Sequence, residues 1–131
     1  MPQSVSTVRV RYAETDRMGV AYHANYLVWF EVGRTDLLRT LGWSYREMEE
    51  SGVILPVIEA HCEYRQASRY DDELEVRTEG RLLSPVRIQF DYRLVRRADE
   101  VTSAVGRTVH AALDEARRPC RLPERIRQAF A

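Results

Sequence analysis

The polar chemistry of this chain gathers in one stretch, Arg11-Tyr-Ala-Glu-Thr-Asp-Arg-Met-Gly-Val-Ala-Tyr-His-Ala-Asn-Tyr26, where Asp16, Gly19, His23 and Asn25 fall within ten residues. A carboxylate at Asp16 can attack an electrophilic carbonyl or take a proton from water. The apolar run that follows predicts a helix. The first amides of a helix have no partner inside it, so those near His23 and Ala24 point outward and favour a developing negative charge. Gly19 supplies backbone freedom and is expected to floor a pocket between strand and helix. The plain alternative for Asp16 is a turn carboxylate that bonds nearby amides or caps the helix, but it precedes the helix by about seven positions, too far for a cap. His23 keeps three readings: a first-turn residue with a satisfied ring, a donor that orients substrate, or an acid/base.

Other candidates carry less. Glu59 and Glu63 share a strand face with Val57 and His61. Glu59 is a candidate second carboxylate, set against the plainer reading of a solvated face. Glu31 and Arg34, spaced i and i+3, are expected to form an ion pair. His61 and His110 fall on expected strands without acidic or cysteine partners at ligand spacing and read as structural. No HExxH or cysteine cluster is present, so no metal is expected. Ser51 and Ser84 lack the GxSxG context of a serine nucleophile, and there is no GxGxxG or Walker loop. Cys62 and Cys120 have neither CxxC spacing nor a metal-like pattern.

The elements that must position these residues follow from periodicity. Val8, Val10 and Tyr12 alternate with Arg9 and Arg11, which predicts a half-buried strand. Tyr26, Leu27, Phe30, Leu37, Leu38 and Leu41 recur at helical spacing, and Val28, Trp29 and Val32 widen the apolar girth. The expectation is a helix from about 23 to 41, buried on most sides and capped by Gly42. Ser44 and Glu47 form a capping-box pattern ahead of a short helix over about 44–51. Four strand runs follow, at about 54–65, 73–83, 86–94 and 101–113, joined by connections short enough for antiparallel hairpins. A short helix over about 124–130 ends the chain. One strand, one long helix and a meander give an α+β domain spanning residues 1–131. The apolar run around Ile54–Ile58, with Pro56, reads as a sheet edge that a second copy would pair across a two-fold axis.

The chain has 131 residues, 44% hydrophobic and 31% charged, ordinary values for a soluble globular protein. Twenty acidic and twenty basic residues cancel, so no global field recruits nucleic acid or an anionic membrane. Every basic residue is arginine. The absence of lysine removes Schiff-base chemistry and the phosphate-loop lysine. No signal-peptide pattern or membrane-spanning run is visible, which places the expected location in the cytoplasm.

The pattern Tyr12-x-x-Thr15-Asp16-x-x-Gly19-Val20-x-Tyr22-His23-x-Asn25-Tyr26, followed by Phe30-Glu31-x-x-Arg34, resembles the hotdog-fold acyl-CoA thioesterases, in particular the YbgC and 4-hydroxybenzoyl-CoA thioesterase group. Glu63-Tyr64 and Arg69-Tyr70-Asp71-Asp72 are similar to the same group, and the likeness spans roughly residues 5–128. Where that group often has Pro-Ala-Arg before the Asp-Asp turn, this chain has Ala67-Ser68-Arg69. The resemblance implies a five-stranded antiparallel sheet wrapped around one long central helix, and homodimers joined into a continuous sheet and often paired into homotetramers. It implies hydrolysis of an acyl-CoA at the dimer interface without cofactor beyond the CoA of the substrate. It gives Asp16 the role of nucleophile or general base and the His23 amide that of oxyanion hole. The His23 side chain would orient the thioester or its water, and Gly19, Tyr22 and Asn25 would shape the substrate site. Two other readings stand beside it: a hotdog dehydratase acting on a hydroxyacyl thioester, and a non-catalytic acyl-CoA-binding module.

Overall fold

A computed structural model describes residues 1–131. Strands β1 (Gln3–Arg9), β2 (Val57–Tyr64), β3 (Glu73–Ser84), β4 (Arg87–Arg96) and β5 (Val101–Ala111) form one antiparallel sheet in the order β1-β3-β4-β5-β2. Helices α1 (Asn25–Thr40), α2 (Tyr45–Glu50) and α3 (Glu124–Ala129) complete the chain. The five-stranded antiparallel sheet expected from the resemblance is present.

Alternation sets which sheet face is buried. Ile88, Phe90, Tyr92 and Leu94 of β4 are all buried. The pairings Val76↔Leu94↔Ala104 and Thr78↔Tyr92↔Gly106 carry that face across β3, β4 and β5. Helix α1 lies against it, packed on β1, β3 and β4. Phe30 stacks on Tyr92 with ring centroids 4.4 Å apart and planes 4° from parallel. Gly33 permits the approach of α1, since a Cβ there would sit 2.7 Å from Val76 Cγ1 and collide with Thr78 Oγ1. Ser44 Oγ accepts the Glu47 amide at 3.1 Å, the N-cap that the sequence pattern predicts.

Four local expectations are corrected. Helix α1 begins at Asn25 and buries only one side: Tyr26, Trp29, Phe30, Gly33, Leu37 and Leu38 face inward, while Leu27 and Val28 are 41% and 52% exposed. Strand β1 ends at Arg9, and Tyr12–Glu14 coil into a 3-10 turn that leaves Tyr12 exposed. Strand β2 starts at Val57. The chain just before it is held differently: the Pro56 carbonyl accepts the Ala111 amide, and the Leu55 carbonyl is taken by a side chain. Arg34 does not pair with Glu31. Its Nε donates to Tyr45 Oη at 3.2 Å, because α2 brings a phenol to the inward side of the guanidinium.

That guanidinium starts a polar chain through the core. It also faces the Tyr92 phenol; Tyr92 Oη lies 2.6 Å from Thr108 Oγ1, Thr108 Oγ1 lies 2.9 Å from His110 Nε2, and His110 Nδ1 lies 3.0 Å from the Leu55 carbonyl oxygen. A carbonyl can only accept, so Nδ1 carries the imidazole proton and Nε2 accepts from the Thr108 hydroxyl. Thr108 is then left to accept from Tyr92. Every proton in the chain has one place. Burial drives the His110 pKa down to about 4, with the nearby Arg34 charge acting in the same direction.

Candidate active site

The connection from β1 to α1 is a small hairpin braced from below. Thr15 and Ala21 form a β-bridge; within it the Asp16 amide donates to the Val20 carbonyl at 2.9 Å and the Gly19 amide to the Asp16 carbonyl at 3.0 Å. Gly19 has φ +77°, a left-handed conformation that L side chains resist. Beneath the hairpin sits Glu14, a carboxylate only 7% exposed. Its Oε1 accepts the Arg11 amide at 2.8 Å and its Oε2 accepts Trp29 Nε1–H at 3.2 Å. Its backbone carbonyl accepts the Tyr22 amide at 2.7 Å and Asn25 Nδ2–H at 2.8 Å. The loop is thereby tied to the first turns of α1.

The two carboxylate oxygens of Asp16 differ in what they meet. Oδ1 accepts the Met18 amide at 2.8 Å, an Asx-type turn. Oδ2 has no partner within the chain and the residue lines a cleft of about 270 Å³ with Met18, Ala21, His23, Tyr26 and Tyr64. The turn contact therefore uses one carboxylate oxygen and leaves the other free.

At the helix start, the His23 and Ala24 amides donate to no acceptor in the chain, whereas Asn25 N–H bonds the Tyr22 carbonyl and Tyr26 N–H the His23 carbonyl. In a trans peptide the C=O and N–H point oppositely. The Tyr22 and His23 carbonyls point along α1, so the two free amides point back toward the preceding loop, where the positive end of the helix dipole lies. Ala24 occupies the N-cap without a side chain to fold over these donors.

The side chains around the cleft are aromatic. His23 packs against Tyr22 with ring centroids at 4.5 Å and meets Tyr64 edge-on at 6.3 Å, while Tyr64 meets Tyr26 edge-on at 4.9 Å. Tyr64, from β2, also donates its hydroxyl to the His23 carbonyl at 3.0 Å. Desolvation and the neighbouring Cys62 push the Tyr64 pKa up to about 12, so the phenol keeps its proton at neutral pH.

A hairpin carrying a half-free carboxylate thus stands beside unsatisfied helix amides. The family model described as thioesterase-like superfamily matches residues 10–130. The chain belongs to that superfamily. It is 38% identical over 115 residues to YneP of Bacillus subtilis (strain 168), covering 88% of this chain and 83% of the relative. It is 35% identical over 124 residues to the acyl-CoA thioesterase YbgC of Haemophilus influenzae, covering 94% and 90%. Among solved structures, a DHNA-CoA thioesterase from Staphylococcus aureus superposes with a TM-score of 0.88 at 36% identity, covering 93% of this chain and 82% of that one.

Within this thioesterase-like chain, the residues singled out from sequence separate into two groups. Asp16 and His23 meet at one cleft. Gly19 lies exposed in the hairpin with nothing within 4 Å of a built Cβ, so it shapes the turn and does not floor the cleft. Tyr22 is 48% exposed and buttresses His23 from outside. Asn25 spends its amide on Glu14. Glu59 is exposed and pairs with Val109, on the sheet face opposite α1. The structure does not bring Glu59 to Asp16.

Two contributors are not evident from residue spacing: the Glu14–Trp29 brace, which needs the loop path, and Tyr64. The available signal for Tyr64 is phase. It alternates with Cys62, and the two pair with Ala104 and Gly106 on the sheet face under α1. The largest concavity, about 630 Å³, lies elsewhere, on the outer sheet face among Arg77, Asp91, Arg93 and Arg107. It is a broad open surface of mixed charge and holds no free helix amides, so the smaller cleft is the stronger site.

Proposed function

We propose that this protein hydrolyses the thioester of an acyl-CoA to a free carboxylic acid and CoA at the Asp16 cleft. The observation that carries the reading is the unpartnered Asp16 Oδ2 in a cleft that His23 also lines, beside the free His23 and Ala24 amides at the start of α1. A thioester carbonyl is more electrophilic than an ester's because sulfur donates weakly into it, and a thiolate leaves readily. The His23 amide, with Ala24 beside it, holds the oxygen that becomes negative as the carbonyl carbon turns tetrahedral. Asp16 either attacks that carbon, forming an acyl–aspartyl anhydride that water then opens, or removes a proton from the water that attacks it. In both routes the C–S bond breaks, the thiolate takes a proton, and one water is consumed. No metal or further cofactor enters this scheme.

The relatives named for acyl-CoA and DHNA-CoA support the substrate class. A dehydratase reading has less support, because His23 makes no side-chain hydrogen bond and Asp16 is turned to Met18 instead of the imidazole. In the assembled protein, the unpaired edge of β2, with exposed Val57 and Ile58, pairs with the same strand of a second copy, and the joined sheets close around α1. Such dimers pair into a homotetramer in the cytoplasm.

The test is thiol release from a panel of aliphatic and aromatic acyl-CoAs. Asp16→Asn is expected to lower kcat by about 10² or more while CoA still binds. Near-normal turnover by that variant refutes the assignment. Single-turnover hydrolysis in oxygen-18 water then separates the routes, since label in the Asp16 carboxylate requires attack by that group.

A further inference from the structure

The peptide planes leading into α1 are not held equally. The Ala21 amide donates to the Ser68 carbonyl at 2.7 Å and the Tyr22 amide to the Glu14 carbonyl at 2.7 Å, so those planes are fixed by short backbone bonds. The His23–Ala24 plane has only one backbone bond, from the Tyr26 amide to the His23 carbonyl, and it is long at 3.3 Å. Its N–H is free, and the N-cap residue is alanine, so no local side chain steadies it. The shorter bond on that plane is the 3.0 Å donation from the Tyr64 hydroxyl, which reaches it from β2, 41 residues away in sequence.

We propose that Tyr64 is a positioning residue of the site: by holding the His23 carbonyl it fixes the His23–Ala24 peptide plane and aims the free Ala24 amide, the donor beside the His23 amide, at the substrate oxygen. The proposal rests on the thioesterase reading above. Because the peptide is planar and trans, a grip on its oxygen sets the direction of its N–H. Directed donors are effective only when they need no reorganisation as charge develops. The Tyr64 ring is half exposed and meets Tyr26 of α1 edge-on on its other side, which sets where the hydroxyl is presented. Phenylalanine at this position would keep the ring contacts and lose the grip.

The experiment measures wild type, Tyr64→Phe and Asp16→Asn on the same acyl-CoA panel, with thermal unfolding of each. Tyr64→Phe is expected to lower kcat by about tenfold to a hundredfold, less than or equal to the loss of an oxyanion donor itself, with KM and Tm essentially unchanged. A role in packing would lower Tm, and a role in contacting the acyl group would raise KM. Unchanged kcat, or a change confined to KM or Tm, overturns the proposal. If wild type turns over and Asp16→Asn does not, a wild-type kcat in Tyr64→Phe sinks the Tyr64 proposal alone. If wild type releases no thiol from any acyl-CoA, the thioesterase reading fails and the Tyr64 proposal with it.

Discussion

Acidification should weaken this fold through His110 in particular. The buried chain Tyr92–Thr108–His110–Leu55 needs a neutral imidazole, since Nε2 must accept from Thr108. Protonation makes Nε2 a donor to Thr108 Oγ1, which then accepts from both Tyr92 and His110 and leaves the Thr108 hydroxyl proton without its acceptor. The folded pKa is about 4 against 6.5 for the free side chain. The unfolded chain therefore binds the proton first as pH falls. Stability is full above about pH 6.5 and is lost between there and about pH 4. At 1.36 kcal/mol per pH unit the whole window is worth about 3 kcal/mol, and a shift from neutral pH to about pH 4.5 takes most of it. Urea unfolding of wild type and His110→Gln at about pH 7.5 and 4.5 isolates this contribution, because the carboxylates titrate in both proteins. Wild type should lose about 2–3 kcal/mol more than the variant across that interval. Equal losses refute the argument, as would an NMR titration of wild type in which the His110 ring protonates near its ordinary pKa.

Two further substitutions probe the supports of the site. Gly33→Ala should destabilise by about 1–2 kcal/mol in chemical denaturation, because overpacking of Val76 and Thr78 exceeds the gain of about 1 kcal/mol in helix propensity. Trp29→Phe leaves the buried Glu14 Oε2 without its donor; it should cost about 1–3 kcal/mol and lower kcat more than KM rises, since Glu14 anchors the loop that carries Asp16.

The fold was legible where burial follows period. Every second residue of β4 from Ile88 to Leu94 is buried, and the sequence reads as a strand for that reason. It was less legible in β1, whose inward positions include Ser4 and Ser6, polar side chains with no hydrogen-bond partner; they hide the alternation of which Val8 and Val10 are the visible end. The start of α1 lies two residues beyond where periodicity alone puts it, because Ala24 offers no capping side chain to mark it. Glu31 and Arg34 satisfy the i, i+3 rule, but that rule knows only one helix, and Arg34 turned to a phenol on another. At the site, Asp16 and the helix amides were readable as neighbours in sequence. Tyr64 and Glu14 act through contacts set by the path of the chain.

Strand β2 has a single neighbour, β5, and it is the strand that carries Tyr64. A sheet's outermost strand is the one whose register is held from one side only, and a one-residue slip exchanges its two faces. Such a slip would withdraw the Tyr64 hydroxyl from the His23 carbonyl and present Glu63 or Arg65 there, according to its direction. Whatever clamps the far side of β2 thus also guards the alignment of the Ala24 amide. Loss of that clamp, by dilution of the proposed dimer or by a substitution along Val57–Glu63, would appear as a fall in turnover before any loss of fold.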